Sequence, residues 1–364
     1  MADLFEYITW RGDIPFSQVP VNNVDALLFS ALVYINFDGI VTTKPNAAIP
    51  LHSAADAFFA LEDTDSRIRV KNDLTLLRTM AQSPRYRDIG LSFYQNLFIP
   101  EEETQFAALS FLLPDGSAFL AFRGTDTSLV GWKEDFNMSF QDTVPAQQEA
   151  LRYTQAFAAN NQMILRLGGH SKGGNLAVFA AAKCGLFLQK RIAAVFNNDG
   201  PGFTEYLMGD AGYLAMVPKI RTFIPESSII GMLLEHEEPY RVIKSRQISL
   251  LQHEPYSWEV LGGDFIYADA MSSETVFMGN AIKSWLRSMN KEERSTFVDG
   301  VYDLLSSSGA NTVDQLIEPK ALLQYIKTIH TNNDLRQLLS AELTDLAKIV
   351  KGALSRRLSE KEIP

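Results

Sequence analysis

Residues 162–182 read QMILRLGGHSKGGNLAVFAAA, and the rest of the chain is best understood as support for this stretch. The short apolar run Met163–Leu167 is typical of a strand, and Asn175–Ala182 is typical of a buried helix. Between them, Gly169–Gly173 fits the pattern G-x-S-x-G with Ser171 at its centre. A strand, a sharp turn and a helix, in this order, predict a nucleophile elbow, which the five-residue match alone does not.

The glycines of this turn have a steric purpose. A serine at the tip of so tight a turn takes a strained backbone conformation, so the residues two before and two after it must lack bulk. The turn raises the hydroxyl above the sheet, and the following helix points its free N–H groups toward the same place. We therefore expect Ser171 to be a nucleophile, the alternative being a glycine-rich turn with an ordinary serine.

The composition is that of an ordinary globular chain. Its 364 residues are 46% hydrophobic and 21% charged, which is enough for one large domain or two. A net charge of −10 without any basic cluster argues against nucleic acid as a partner. The N-terminus does not resemble a signal peptide, and no apolar stretch is long enough to span a membrane. With the single cysteine Cys184 and no metal-ligand spacing, we expect a cytoplasmic protein without a metal or other cofactor.

Strand and helix patterns alternate through the middle of the chain. Two apolar runs around Pro114-Asp115-Gly116 predict a hairpin, and further strands are expected at 192–196, at 220–224 and directly before His253. This alternation indicates an α/β protein whose sheet carries helices on its faces, with the site at the carboxyl edge of the strands. By contrast, residues 52–99 and the chain beyond about residue 270 are expected to be helical.

A serine hydroxyl is a poor nucleophile at neutral pH, so the elbow predicts a histidine base and a carboxylate that orients it. The chain order expected for this arrangement is serine, acid, histidine. His253 fits best, because it follows an apolar run and precedes Glu254-Pro255, where a loop is expected. We expect the remaining histidines to lie upstream, within the elbow, in a solvated acidic loop and on the C-terminal helices, respectively: His52, His170, His236 and His330.

Two carboxylates compete for the role of the acid. Asp199 follows one predicted strand and is succeeded by Gly200-Pro201-Gly202, a turn suited to fixing a short side chain. Glu226 follows the next strand, the commoner acid position in many enzymes of this type. We favour Asp199 and keep Glu226 as the alternative. For the oxyanion, we expect N–H groups from Lys172, directly after the nucleophile, and from Thr125 at the end of an early strand.

The segments AFRGTD (121–126), GWKEDF (131–136) and GGHSKGGNLA (168–177) together resemble the class-3 lipase group of α/β-hydrolases. The resemblance implies that Thr125 contributes to an oxyanion hole. Two departures are visible: Lys172 replaces the usual leucine, and SSIIG stands where that group has its acid, after the strand that carries Glu226. The acid therefore stays open between Asp199 and Glu226 at this point.

A closer resemblance, covering roughly residues 4–290, is to a family of lipase-like bacterial hydrolases of unknown function. It rests on motifs that occur in the right order: WRGDIPF (10–16), NNDGPGF (197–203), SSIIGMLLEH (227–236) and QHEPYSWEV (252–260). We thus expect an α/β-hydrolase domain over residues 1–270, including an N-terminal helical segment at 1–100. A C-terminal helical region over residues 271–364 is expected to pack on it.

These observations predict a serine hydrolase that cleaves small-molecule or lipid acyl esters through Ser171, His253 and Asp199 by way of an acyl-enzyme. The alternatives are a non-catalytic binding protein with the hydrolase fold and an acyltransferase that uses the same acyl-enzyme. Apolar residues in Gly202–Pro218 and Ile229–Leu234 form either an acyl pocket or lid, or a cover for the core. Acyl chain length, head group, lid movement and oligomeric state are left open by the sequence.

Overall fold

The computed structural model describes residues 2–126, 128–309, 319–342, 344–345 and 348–349. Its centre is a sheet of eight strands whose spatial order follows the sequence. The strands are β1 (Ala48–Pro50), β2 (Gly90–Ile99), β3 (Thr104–Leu112), β4 (Ala118–Phe122), β5 (Leu165–His170), β6 (Ile192–Asn198), β7 (Ile220–Pro225) and β8 (Tyr240–Ile243).

The sheet is mixed, with more parallel than antiparallel pairings. Strands β1 to β4 pair antiparallel, and β3 and β4 form the predicted hairpin. From β4 to β8 every pairing is parallel. In this parallel half, His170 of β5 lies opposite Asn198 of β6. The residues that follow β5 and β6 therefore emerge side by side at the carboxyl edge, where the sequence placed the candidate site.

Helices cover both faces of the sheet. One face carries the N-terminal helices α1 (Leu4–Arg11), α2 (Asn23–Leu32), α3 (Leu51–Phe59) and α4 (Lys71–Gln82). The next six helices follow between β4 and β7, and they are α5 (Leu129–Asn137), α6 (Pro145–Asn160), α7 (Lys172–Lys183), α8 (Leu186–Gln189), α9 (Glu205–Met208) and α10 (Ala211–Met216). This is an α/β architecture with a large, mostly parallel sheet flanked by helices.

Two separate hydrophobic cores fill these layers. On the side of α2, Phe29 packs against Phe111 and Phe119 with ring centroids 4.7 and 5.2 Å apart. On the side of α6 and α7, Phe93 stacks on Tyr153 at 4.5 Å. Because apolar side chains leave the central strands on both faces, those strands read as continuous apolar runs rather than as alternating ones.

The prediction that residues 52–99 are helical is wrong in its last part, because residues 90–99 form β2. The strand is irregular: its register with β3 shifts between Ser92 and Gln95, and Phe93 has a φ of 52°. This bulge sends Phe93 to the core of α6 and α7, while Leu91 and Tyr94 both lie in the core of α2. The two-residue alternation that marks a strand is thereby lost from the sequence.

The predicted strand before His253 is also wrong. The chain leaves the sheet after β8, and residues Ser249–His253 form a short 3₁₀ helix whose first residue has a φ of 52°. A small antiparallel pair, β9 (Val260–Leu261) with β10 (Asp264–Phe265), follows at the side of α2.

The C-terminal region is helical where the structure describes it, with α11 (Ser273–Ser288), α12 (Lys291–Ser306) and α13 (Pro319–Thr331). Helix α12 packs on α5, and Lys291 of α12 pairs with Asp142 at 2.7 Å. The prediction of helices up to residue 364 also covers residues 310–318 and 350–364, which lie outside the described residues. Within the described residues, no helix combines the length and the apolar character needed to span a bilayer.

Candidate functional site

Ser171 occupies the turn between β5 and α7. Its backbone has φ 59° and ψ −135°, a conformation that is unusual for a residue with a side chain. A Cβ atom on Gly169 would lie 2.1 Å from the carbonyl carbon of Gly173, and one on Gly173 would lie 2.0 Å from the carbonyl oxygen of Phe122. The two glycines therefore allow the close approach of strand and helix on which the turn depends.

Asp199 follows β6 and is buried at the same edge of the sheet. Its carboxylate accepts three hydrogen bonds: from Nδ1 of His253 at 2.6 Å, from Oγ of Ser228 at 2.5 Å and from the N–H of Gly231 at 3.1 Å. Burial raises the pKa of Asp199, and these hydrogen bonds act in the opposite direction. These three hydrogen bonds fix the orientation of the carboxylate. Through the bond to Nδ1, the carboxylate fixes the orientation of the imidazole.

The backbone of His253 is held from several sides. Its carbonyl oxygen accepts from Nε2 of His170 at 2.7 Å, and the two imidazole rings lie 4.5 Å apart. The carboxylate of the next residue, Glu254, accepts a hydrogen bond from each terminal nitrogen of Arg69, both at 2.8 Å. Only 26% of the His253 side chain is exposed, and no described residue hydrogen-bonds its Nε2. The imidazole thus has one nitrogen engaged by an acid and one nitrogen available.

Ser171 and His253 are close in the fold but not hydrogen-bonded to each other in this structure. His170, which directly precedes Ser171, contacts His253 through both its ring and its Nε2. Contacts of this kind are often long in a site without substrate and tighten when substrate binds.

His170 supports the site without taking part in proton transfer. Burial, followed by the nearby His253 and Arg69, lowers the pKa of His170 well below the ordinary value, so the ring is neutral at neutral pH. Because a carbonyl oxygen only accepts, the proton of this neutral ring is on Nε2, facing His253. The expectation that the ring packs beside the strand agrees with this arrangement.

Glu226, the alternative acid, follows β7 but does not contact His253. Its backbone N–H donates to Ile243 at 3.0 Å and its carbonyl oxygen accepts from Ser272 at 2.7 Å. No hydrogen bond or ion pair within the described residues involves its carboxylate. The structure thus places Asp199, and not Glu226, against the imidazole.

The expectation that His236 is solvated is wrong. Its side chain is 7% exposed, with Nδ1 3.1 Å from Glu238 and Nε2 2.9 Å from the carbonyl oxygen of Gly231. Burial would raise the pKa of Glu238, but hydrogen bonds from His236, Thr222 and Tyr213 outweigh it and lower that pKa. A buried carboxylate needs such donors. Because acidic residues surround His236, the segment was expected to be solvated, and the burial of Glu238 was not foreseen.

The two candidate oxyanion donors lie on either side of the elbow. The N–H of Lys172 belongs to the first turn of α7, where backbone donors have no partner within the helix. Gly124 brings the loop that carries Thr125 against the elbow, since a Cβ there would lie 2.6 Å from the carbonyl oxygen of His170. The hydroxyl of Thr125 donates to both oxygens of Asp135, at 2.7 and 2.6 Å.

The side chain of Lys172 is buried in an ion pair that sequence reasoning missed. Its ammonium lies 2.8 Å from Glu134 and 3.8 Å from Asp135, and neither the lysine nor Glu134 has an exposed side chain. Burial raises the pKa of Asp135 to about 6, although Lys172 and Thr125 pull it down. The signal was present in GWKEDF, because two adjacent acids in a buried segment need a cation.

Ser171 lies on the wall of a cavity of about 150 Å³ whose lining is almost entirely apolar. Segment 230–234 supplies Ile230, Leu233 and Leu234, so this part of the expected acyl pocket does line the cavity. The C-terminal helices α11 and α12 line it as well, which sequence reasoning missed. Their contribution is Ile282, Trp285, Leu286, Arg294, Phe297 and Val298.

No group of three or more His, Cys, Asp or Glu side chains that could hold a metal ion occurs among the described residues. The groups described at the edge of the sheet are a serine, an imidazole paired with a buried carboxylate, and backbone N–H groups.

Comparison with known proteins places this geometry in a family. A family model described as Mbeg1-like matches residues 80–303, which include the elbow, Asp199 and His253. The chain belongs to the Mbeg1-like family. Mbeg1-like proteins form a lipase-like family, which fits a hydrolase. The finer resemblance to the class-3 lipase group stays a prediction.

Searches among other proteins add little to the Mbeg1-like assignment. No curated protein matches the chain. Among solved structures, the chain is similar to the lipase of Rhizomucor miehei in its native propeptide complex, at 12% identity and a TM-score of 0.33. That similarity covers 60% of this chain and 68% of the lipase chain.

Proposed function

We propose that this protein is a serine hydrolase of the α/β-hydrolase type that cleaves carboxylic esters through Ser171, His253 and Asp199. The observation that carries the proposal is the 2.6 Å contact between Nδ1 of His253 and Asp199, next to a serine held at a strained turn. In this proposal residues 1–270 form the hydrolase domain, and the helices beyond residue 270 complete its substrate cavity. Its cytoplasmic location is part of the same proposal.

Each residue has a defined part in the reaction. Asp199 holds the proton of the neutral imidazole on Nδ1, which leaves Nε2 as the basic nitrogen. Nε2 takes the proton of Ser171 while Oγ attacks the ester carbonyl carbon, and the carbonyl oxygen becomes an oxyanion. The N–H groups of Lys172 and Thr125 donate to that oxyanion, where one such donor typically changes turnover about 10²- to 10³-fold.

The acyl-enzyme then forms and breaks down by the same groups. The tetrahedral intermediate collapses as Nε2 returns its proton to the alkoxide, and the alcohol leaves with Ser171 acylated. A water molecule gives a proton to Nε2 and attacks the acyl carbon. The second intermediate collapses as Nε2 returns this proton to Oγ of Ser171, which releases the carboxylic acid and regenerates the free serine. The apolar cavity beside Ser171 suits the acyl chain of such a substrate.

The first experiment tests the nucleophile. The full chain is treated with a fluorophosphonate probe and assayed with p-nitrophenyl esters from acetate to palmitate. We expect wild type to be labelled and active, Ser171→Ala to be neither, and the exposed-serine control Ser66→Ala to behave as wild type. A folded wild type that is not labelled and does not turn over any ester would favour a binding protein instead.

A further inference from the structure

The cavity beside Ser171 borders two spaces of opposite character, with each of which it shares lining residues. On one side it shares Phe136, Phe297 and Val298 with a small apolar space of about 30 Å³ between α5 and α12. On the other side it shares Leu286 and Arg294, among others, with a polar cleft of about 640 Å³. A molecule bound at Ser171 therefore has an apolar direction and a polar direction in which to extend.

The polar cleft carries four basic side chains, and three of them pair with two carboxylates. Lys283 and Arg287 pair with Glu235 at 3.3 and 2.7 Å. Lys291 pairs with Asp142 at 2.7 Å. The fourth is Arg294, and among the described residues no carboxylate lies within ion-pair distance of its guanidinium.

Arg294 is half-buried at the point where the cavity meets the cleft. Its Nε donates to the carbonyl oxygen of Met289 at 3.1 Å, and its Nη1 donates to that of Ser139 at 2.7 Å. These two bonds fix the plane of the guanidinium, and no described residue accepts from its other three N–H donors. Burial lowers the pKa of Arg294, and no acid acts against this effect. A guanidinium nevertheless stays charged at neutral pH, so a partly desolvated cation faces the cavity without a counter-charge.

We propose that Arg294 binds an oxyanion, a carboxylate or a phosphate, carried by the alcohol part of the ester substrate. This inference rests on the proposed function, because it assigns the two directions of the site to the two parts of an ester. The acyl chain occupies the apolar cavity, and the alcohol part extends past Arg294 into the polar cleft. The planar fork of an arginine suits the paired oxygens of carboxylate and phosphate.

The size of the cavity limits the acyl chain. A dry protein cavity of 150 Å³ is known to hold a benzene molecule, which has six carbons. The cavity beside Ser171 has about the same volume. The substrate class is thus an ester between an acyl group on the order of six carbons and an anionic alcohol.

The kinetic test compares two chromogenic esters that differ only in charge: 3-hexanoyloxy-4-nitrobenzoate and its neutral analogue 3-hexanoyloxy-4-nitrobenzamide. In the full chain, we expect Arg294→Met to lower kcat/KM for the benzoate about 10- to 100-fold, the usual effect of losing a hydrogen bond to a charged group. The change should lie mainly in KM, because the contact is made in the ground state as well. Arg294→Lys should recover part of the loss.

The benzamide is the internal control, since a partly unfolded variant loses activity on both esters alike. We expect its kcat/KM to change less than about threefold in Arg294→Met, because a neutral ester makes no charged contact. Arg78→Met, the same substitution on the remote helix α4, should leave both esters unchanged. An equal loss on both esters would show that Arg294 only ties α12 to Ser139, and the inference would be wrong.

A binding measurement separates this inference from the proposed function. Hexyl phosphate, hexanoate and hexanol are titrated by calorimetry into Ser171→Ala and into Ser171→Ala with Arg294→Met. We expect one or both anions to bind at least tenfold more tightly than hexanol, and only in the protein that keeps Arg294. The two anions distinguish phosphate from carboxylate. If neither anion binds better than hexanol, the inference fails even when the esterase activity is real. If an anion binds more tightly and wild type hydrolyses neither ester, the failure lies in the proposed function, and Arg294 is an oxyanion site of a binding protein.

Discussion

His253 and His236 each donate from Nδ1 to a buried carboxylate, at 2.6 Å to Asp199 and at 3.1 Å to Glu238. Their other nitrogens differ. Nε2 of His236 is bonded to the carbonyl oxygen of Gly231 at 2.9 Å, whereas Nε2 of His253 has no hydrogen-bond partner among the described residues. The exposed fractions of the two side chains differ in the same way, at 7% and 26%.

The comparison separates an imidazole bonded at both nitrogens from one with a free nitrogen. An imidazole can satisfy two oxygen acceptors only by donating from both nitrogens, so it has no lone pair with which to act as a base. An imidazole with one nitrogen bonded to a carboxylate and the other nitrogen free has the arrangement of a general base. A histidine–carboxylate pair is therefore not informative by itself, and the environment of the second nitrogen decides its role.

The largest difference between the two pairs should follow removal of each imidazole. We expect His253→Gln to lower kcat on a p-nitrophenyl ester about 10⁴- to 10⁶-fold, because the base is lost. The free energy of unfolding should also fall, by about 1–3 kcal/mol, because the buried Asp199 loses the donor at Nδ1. Residual activity above 1% of wild type would remove His253 from the proposed mechanism.

Replacing the two candidate acids should give the next largest effect. Asp199→Asn should lower kcat about 10³- to 10⁴-fold, because an amide favours the wrong tautomer of His253. Glu226→Gln should change kcat less than about threefold, since its carboxylate has no contact with the imidazole in the described structure. Parallel steady-state assays of the two variants measure this, and a reversed order would show that Glu226 is the acid.

The structural pair should respond in stability rather than in catalysis. We expect His236→Gln to lower the free energy of unfolding by about 1–3 kcal/mol, because Glu238 loses a buried donor. Its kcat should stay within about tenfold of wild type. Urea unfolding and ester hydrolysis, measured on the same preparation, test the two halves of this prediction. A folded, equally stable variant without activity would place His236 in the catalytic machinery.

Asp135 sharpens the comparison, because it is a carboxylate without a histidine. Its pKa is raised to about 6 in the folded protein, above the ordinary value of 3.8, so the folded state binds a proton more tightly than the unfolded state does. The contribution of Asp135 to stability is therefore most favourable at low pH and falls as pH rises from about 4 to 6.

Asp135→Asn should remove this dependence. Relative to wild type, we expect the variant to gain on the order of 1 kcal/mol between pH 4 and pH 7, a value reduced by the partial exposure of the side chain. Denaturant unfolding of both proteins at the two pH values measures the difference. A loss of stability relative to wild type between these pH values would mean that Lys172 holds Asp135 ionised over the whole range.

Much of the turn at Ser171 could be predicted from the sequence, since its steric requirements are local. Glycine at 169 and 173, a strand before and a helix after specify the turn without knowledge of the rest of the fold. The choice of His253 was a matter of chain order and elimination, and the 3₁₀ helix that presents it was mistaken for a strand. The proline two residues after His253 indicated an irregular segment, but it did not indicate which secondary structure the segment forms.

Other features of the site depend on long-range contacts that no local pattern encodes. The bulge of β2 removed the two-residue alternation that would have identified a strand. The Lys172–Glu134 pair joins residues that are 38 positions apart. The helices α11 and α12 were expected as an appendage, because an apolar helix face does not reveal whether it meets a core or a cavity.

Gly231 lies between the two histidine pairs described above. Its N–H donates to Asp199, its carbonyl oxygen accepts from His236, and a Cβ there would lie 2.5 Å from the Asp199 carboxylate. Its neighbours Ile230, Leu233 and Leu234 are walls of the cavity. In the proposed mechanism, a bound acyl chain that moves this wall would therefore also shift a hydrogen-bond donor of Asp199, so filling of the cavity and orientation of the His253 imidazole would be coupled through one residue without a side chain.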